Sequence, residues 1–173
     1  MAADLEQRFD AFVNDHRDRA LRIAWRLLGG DAVAAEDVAQ EAFVRAYRGL
    51  GGFRGDAELA TWFHRILVNE VRRHQRWSVL RRARQVDDEP DSVADPDSAA
   101  RPDPALRRRI RAAIDALPRG QREAFVLVHL EGLTLVEAAS ATGRAVGTMK
   151  SHLHRALASL RDRLADLAPE ETR

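Results

Sequence analysis

The sequence predicts an all-α protein of two small helical domains joined by a flexible acidic linker, and three observations predict it. Apolar residues recur at spacings of three and four along most of the chain, which marks one face of a helix, and no stretch alternates with the period of a strand. The apolar content is mainly Ala, Leu and Val; alanine and leucine are strong helix formers, as is the abundant arginine. Residues 85–104 lack any helical period and hold Pro90, Pro96, Pro102 and Pro104 among Asp87, Asp88, Glu89, Asp91, Asp95, Asp97 and Asp103, a composition that reads as a solvated tether. The expected domains are therefore residues 1–84 and 105–173.

In the first domain, Leu5, Phe9, Phe12, Val13, Ala20, Ile23, Ala24, Leu27 and Leu28 share one helical face. Gly29-Gly30 ends that helix, and Asp31 can cap the next. The second helix has Val38, Ala42 and Ala46 on one side with Phe43 and Tyr47 alongside, and stops at Gly49, Gly51 and Gly52. After the loop Phe53-Arg54-Gly55-Asp56, a third helix is marked by Leu59, Trp62, Phe63, Ile66, Leu67 and Val71 and turns basic from Arg72 onward.

In the second domain, Leu106, Ile110, Ile114 and Leu117 give a helix that stops at Pro118. Ala124, Phe125 and Val128 line the next, closed by Gly132. Thr134 stands three residues before Glu137, a capping box opening a short helix. Thr142-Gly143 makes a turn, and Val146, Met149, Leu153, Leu157, Leu160 and Leu164 fall on the inward face of the last helix.

Charge distribution says more than charge sum. The 173 residues carry a formal net charge of +1, yet arginine runs at Arg72–Arg84 and Arg107–Arg111 flank the acidic linker. There is no cysteine, so disulfides and thiolate zinc sites are excluded, which fits a cytoplasmic setting. No apolar run approaches the ~20 residues that span a bilayer. The polar start, with Asp4, Glu6, Arg8 and Asp10, gives no sign of a signal peptide.

The sharpest local signal is Thr134 to Leu160: a capped short helix, a Gly-containing turn and a longer helix, which is a helix-turn-helix. Its last helix presents Arg144, Thr148, Lys150, Ser151, His152, His154 and Arg155 opposite the apolar face, and a cationic helix face of that kind fits a major groove. The bland alternative is a solvated face that binds nothing. The second signal is the row Arg65, Arg72, Arg73, Arg76, Arg81, Arg82 and Arg84, suited to phosphates. Aromatic Trp62, Phe63 and Trp77 interleave with it, and aromatic rings can stack unpaired bases. Trp62 and Phe63 are expected to be core rather than base platforms. His152 and His154, two apart on a helix, diverge and cannot easily share a metal ion. No phosphate-binding loop or nucleophile motif is present, so neither a cofactor nor a small-molecule substrate is expected, and the chain is not expected to be an enzyme.

Two sets of strings stand out together. In the first domain they are Ala35 to Phe43 (AEDVAQEAF) with Arg45-Ala46-Tyr47, then Phe53-Arg54-Gly55, then Thr61 to Asn69 (TWFHRILVN). In the second they are Leu117 to Phe125 (LPRGQREAF), Glu131 to Thr134 (EGLT) and Val146 to Ala156 (VGTMKSHLHRA). Together these strings resemble the sigma-70 superfamily, in its short extracytoplasmic-function (ECF) branch, and the resemblance covers nearly the whole chain outside the linker. It implies that Asp37, Gln40, Glu41, Phe43 and Arg45 dock on the β′ clamp helices of core RNA polymerase. It implies that Phe53, Arg54, Trp62, Arg65, Asn69, Arg72, Arg73 and Arg76 meet the −10 element, where a base is flipped from the duplex at a few kcal/mol. It implies that the second domain reads the −35 element and meets the β flap, that the linker threads through polymerase, and that an anti-sigma factor holds the protein inactive.

Departures from the family pattern carry their own expectations. The family has larger aliphatics where Ala138 and Thr142 stand, an aliphatic where Arg144 stands, and often Ser where Ala145 stands. Losing that serine cap is worth about 1 kcal/mol, so the second domain should be less stable alone. No further domain is expected after Leu167, so sensing is expected to come from elsewhere. A helix-turn-helix regulator that binds operators without polymerase is the runner-up, but it leaves the first eighty residues unexplained. A helical enzyme with an interdomain site lacks any acid, base or metal constellation.

Overall fold

The computed structural model describes residues 2–55, 58–82 and 103–167, mostly helical with short connections. The acidic linker from Asp87 to Pro102, Asp56 and Arg84 lie outside the described residues. The chain forms two compact units, one built mainly on the first three helices and one mainly on those after the linker.

In the first unit, α1 (Ala2–Leu27) and α2 (Ala32–Gly49) pack against α3 (Leu59–Arg82). The chain leaves α1 through Gly29 and Gly30, both at positive φ (71° and 87°), where a Cβ is disfavoured. Asp31 then caps α2 as expected, its Oδ1 accepting from Ala34 N at 2.9 Å. Alanines 34, 35, 39, 42 and 46 are buried on the inward face of α2, so its backbone can lie close to α1 and α3. Gln75 of α3 donates to Leu27 O at 2.9 Å and satisfies an orphan carbonyl at the end of α1.

Aromatic rings tie the three helices together. Phe63 is fully buried, stacked on Phe43 with centroids 4.4 Å apart and edge-on to Phe12 at 5.3 Å. Phe63 is core, as expected, but Trp62 is only half-buried. Its ring leans on Phe53 at 5.2 Å and on the Cα side of Gly49, because α3 turns it toward the loop rather than the interior. Trp25, which the periodic pattern passed over, is buried as well.

In the second unit, α4 (Pro104–Asp115) and α5 (Arg119–Ala124) pack with α7 (Val146–Arg163). Ala113, Leu117, Phe125, Ala156 and Leu160 form its core, with Ile114, Leu153, Leu157 and Leu164 against them. Two expected core residues face outward instead: Ile110 is 38% exposed and Val146 42%. Ile110 lies a turn before Ala113 and Leu117, which make the actual contact. Val146 is the first residue of α7, where the helix has not yet reached the core. Arg122 closes the end of α4 by donating to the carbonyls of Asp115 and Leu117. Burial pushes the Asp115 carboxyl above its usual range, against the pull of Arg122 and Arg111. Where α5 ends, Phe125–Leu130 continue as a wide π turn, with Glu131 N reaching Val126 O at 3.0 Å. This extra residue shifts the register, so Val126 and Leu127 are buried while Val128 is only half so.

Candidate nucleic-acid and protein interfaces

The helix-turn-helix is α6 (Leu135–Thr142), a turn through Gly143 at φ 65°, and α7. The capping box forms as its spacing predicts. Thr134 Oγ1 accepts from Glu137 N at 3.2 Å, and Glu137 Oε2 accepts from Thr134 N at 2.7 Å. Ala138, Ala139 and Met149 are buried. Thr148, Ser151, His154 and Arg155 form one exposed stripe on α7, with exposed Lys150 at one flank and half-buried His152 at the other. Arg144 stands in the turn before α7. Ser151 Oγ already donates back to Gly147 O at 3.0 Å, so its hydroxyl offers acceptor lone pairs outward.

Ala145 occupies the cap position of α7 in extended geometry (φ −67°, ψ 146°) with no side-chain hydrogen bond. A serine hydroxyl there would reach an orphan N–H of the first turn. Ala145→Ser is expected to stabilise the second unit by about 1 kcal/mol, read as a higher urea midpoint at unchanged slope. A midpoint that stays put or falls would refute this account of the cap.

In the first unit, α3 carries Arg65, Asn69 and Arg76 on one exposed side, with Arg72 half-buried at its edge. These four recur at spacings of four, three and four, which aligns them along the helix. Phe53 and Trp62 stand together at the start of α3, with exposed Arg54 beside Phe53 in sequence. The −10 set named from sequence thus falls largely on one side of one helix and its preceding loop.

Arg73 is placed differently. Asp37, Val38 and Glu41 of α2 and Glu70, Arg73, His74, Trp77 and Arg81 of α3 line an open groove of about 520 Å³. Glu70 is almost fully buried there, and it was missed in the sequence. One carboxylate oxygen takes Arg45 Nε at 2.9 Å and the other takes Arg73 Nη2 at 2.5 Å. Glu41 Oε1 also meets Arg45 Nε at 2.9 Å and Arg73 Nη2 at 3.6 Å. The four charges cancel and join α2 to α3. Removing one partner of a buried pair costs about 3–5 kcal/mol, against about 0–1 for an exposed pair. The spacing of Glu70 and Arg73 gave a hint of pairing, but only the packing of two helices brings Arg45 to the same carboxylate.

Along the outward side of α2, Asp37 and Gln40 are exposed, Glu41 is half-exposed, and Arg45 is exposed but engaged in that network. Phe43 has its ring stacked on Phe63, so it supports α2 from behind. Among the described residues no group of His, Asp or Glu side chains could hold a metal, and no helix is long and apolar enough to cross a membrane.

A helix-turn-helix unit and a second helical unit with its own basic-aromatic side define a two-part nucleic-acid-binding protein. Residues 12–85 match the family described as Sigma-70 region 2, and residues 107–160 match Sigma-70, region 4. The RNA polymerase sigma-H factor of Pseudomonas aeruginosa is 33% identical over 180 residues, spanning 95% of this chain and 90% of that one. The ECF RNA polymerase sigma factor EcfG of Rhodopseudomonas palustris is 35% identical over 152 residues, spanning 84% of this chain and 82% of its own. The structure of the sigma factor RpoE in complex with the anti-sigma factor NepR from Bartonella quintana is similar, with a TM-score of 0.79 at 25% identity, covering 92% of this chain and 98% of that one. CnrH in complex with the cytosolic domain of CnrY matches with a TM-score of 0.65 at 27% identity, covering 95% and 91%. The chain belongs to the ECF sigma factors of the sigma-70 family, a family of non-enzymatic transcription initiation factors.

Proposed function

We propose that this chain directs core RNA polymerase to its promoters, with residues 1–84 meeting the enzyme and the −10 element and residues 105–173 meeting the −35 element. The observation that carries this reading is the pairing of two separate cationic sides, one on α3 and one on α7, with an acidic outward side on α2. Asp37, Gln40 and Glu41 would face the β′ clamp helices, with Arg45 held between Glu41 and Glu70. Phe53, Arg54, Trp62, Arg65, Asn69, Arg72 and Arg76 would face the −10 strand. Arg rows attract phosphate, and the amide of Asn69 can donate to and accept from a base edge. Arg144, Thr148, Lys150, Ser151, His152, His154 and Arg155 would face the −35 duplex, where Lys and Arg pair with guanine edges and phosphates. The second unit would also meet the β flap, and the acidic linker of residues 85–104 would join the two. The protein would act in the cytoplasm, catalyse nothing itself, and be held inactive by an anti-sigma factor; the similar RpoE of Bartonella quintana is bound to an anti-sigma factor in its structure.

Lys150→Ala with Arg155→Ala tests the −35 assignment. Each good base-edge contact is worth about 1–3 kcal/mol, so transcription from a −35-dependent promoter is expected to fall about tenfold or more. Run-off transcription with core polymerase measures this. Equal product from wild type and double variant would refute the role of α7.

A further inference from the structure

Glu70 is a buried acid that itself meets neither polymerase nor promoter in the proposed function. It lies on α3 facing α2, its side chain 6% exposed, with Arg45 on one oxygen and Arg73 on the other. Arg73 stands at the border of two sides of α3. Arg65, Asn69 and Arg76 lie on the exposed side, and the groove with Asp37 and Glu41 lies on the other. Its guanidinium is drawn to the groove by Glu70 and, more distantly, Glu41. Building on the sigma-factor reading, we propose that Glu70 is a positioning residue that holds the charge of Arg73 on the α2 side. The phosphates met by the first unit are then set by Arg65, Arg72 and Arg76, not by Arg73.

The physical ground is a competition between two anions for one guanidinium. A DNA phosphate would meet Arg73 in solvent, where attraction is screened by salt. Glu70 meets it through a side chain only 6% exposed, although the Arg73 side chain itself is 40% exposed, and a buried carboxylate cannot give up a partner cheaply. Glu70 therefore wins, and a residue that sequence places in the phosphate row contributes no net charge to it. This limits sequence-independent attraction to DNA while leaving the exposed row intact.

The test uses holoenzyme assembled with core polymerase and a fluorescent fork of duplex and single-stranded DNA of random sequence. Affinity is measured across a salt series. Each phosphate neutralised adds about 0.7–0.9 to the slope of log K against log salt. Arg76→Gln is expected to lower the slope by that amount, and Arg73→Gln to leave it within about 0.3 of wild type. Glu70→Gln, which keeps the shape and removes the charge, is expected to steepen the slope by about 0.7–0.9 and tighten low-salt binding about fivefold. Adding Arg73→Gln to Glu70→Gln should restore the wild-type slope. A purely structural role for Glu70 would not move this slope through Arg73.

A slope that falls as far with Arg73→Gln as with Arg76→Gln overturns the proposal. So does a folded Glu70→Gln whose slope is unchanged. If Glu70→Gln does not fold, the comparison of Arg73→Gln with Arg76→Gln decides alone. Wild type that shows no core-dependent binding at all would instead overturn the sigma-factor reading on which this rests.

Discussion

Phe63→Ala is expected to destabilise the first unit by about 3–5 kcal/mol, the range for truncating a fully buried phenylalanine. Phe63 is 1% exposed and sits where all three helices meet. Phe12 comes from α1 and Phe43 from α2, and both rings contact it. Truncation removes the area buried by the ring and the ring–ring contacts together, and leaves a cavity that rigid helices cannot close. In a unit of this size each kcal/mol moves the melting temperature by about 4–8 °C, so the first transition should fall by at least about 12 °C. Circular dichroism melts measure this, and the transition of the second unit should not follow. A shift below about 5 °C would show that the aromatic junction does not organise the unit.

Much of the fold was written in local signals, because helix periodicity, caps and stops are local physics. Asp31 caps α2, Gly29 and Gly30 end α1, and Thr134 with Glu137 opens α6, each as its spacing predicts. The misses have separate causes. Ile110 and Val146 carry the right periodicity but sit at helix positions that the partner helices do not reach. Trp62 has the size of a core residue, yet the turn of α3 aims it at the loop. The wide turn at Phe125–Leu130 changes the register by one residue, which an ideal period cannot anticipate.

The candidate surfaces were legible to the same depth. The α7 stripe follows from a single helix, so its residues could be grouped from sequence, apart from half-buried His152 and from Arg144, which stands half-buried in the turn before the helix. The α3 side was less separable. Arg73 belongs to the arginine run by composition, but its partner Glu70 and the second partner Arg45 meet only through tertiary packing. Glu70 itself carried no functional mark in the sequence, since one carboxylate in an arginine-rich helix reads as solubility.

The second large effect is expected at Asp37. It is exposed on α2, one turn before Glu41, and lines the groove in which Glu41 and Glu70 are already paired with Arg45 and Arg73, so its own carboxylate is the charge this side offers outward. If this side meets a basic surface of polymerase, reversing one charge replaces an attraction with a repulsion, and like charges across an interface cost several kcal/mol. Asp37→Arg should therefore weaken binding to core polymerase about a hundredfold, which corresponds to about 2.7 kcal/mol. Because Asp37 is exposed, the melting temperature should stay near that of wild type, as surface substitutions usually change stability by no more than about 0.5 kcal/mol. Higher salt should narrow the gap between the two proteins, since screening weakens attraction in one and repulsion in the other. Affinity titrations with core polymerase at two salt concentrations read all of this. A dissociation constant within twofold of wild type, from a folded variant, would move the docking surface off α2.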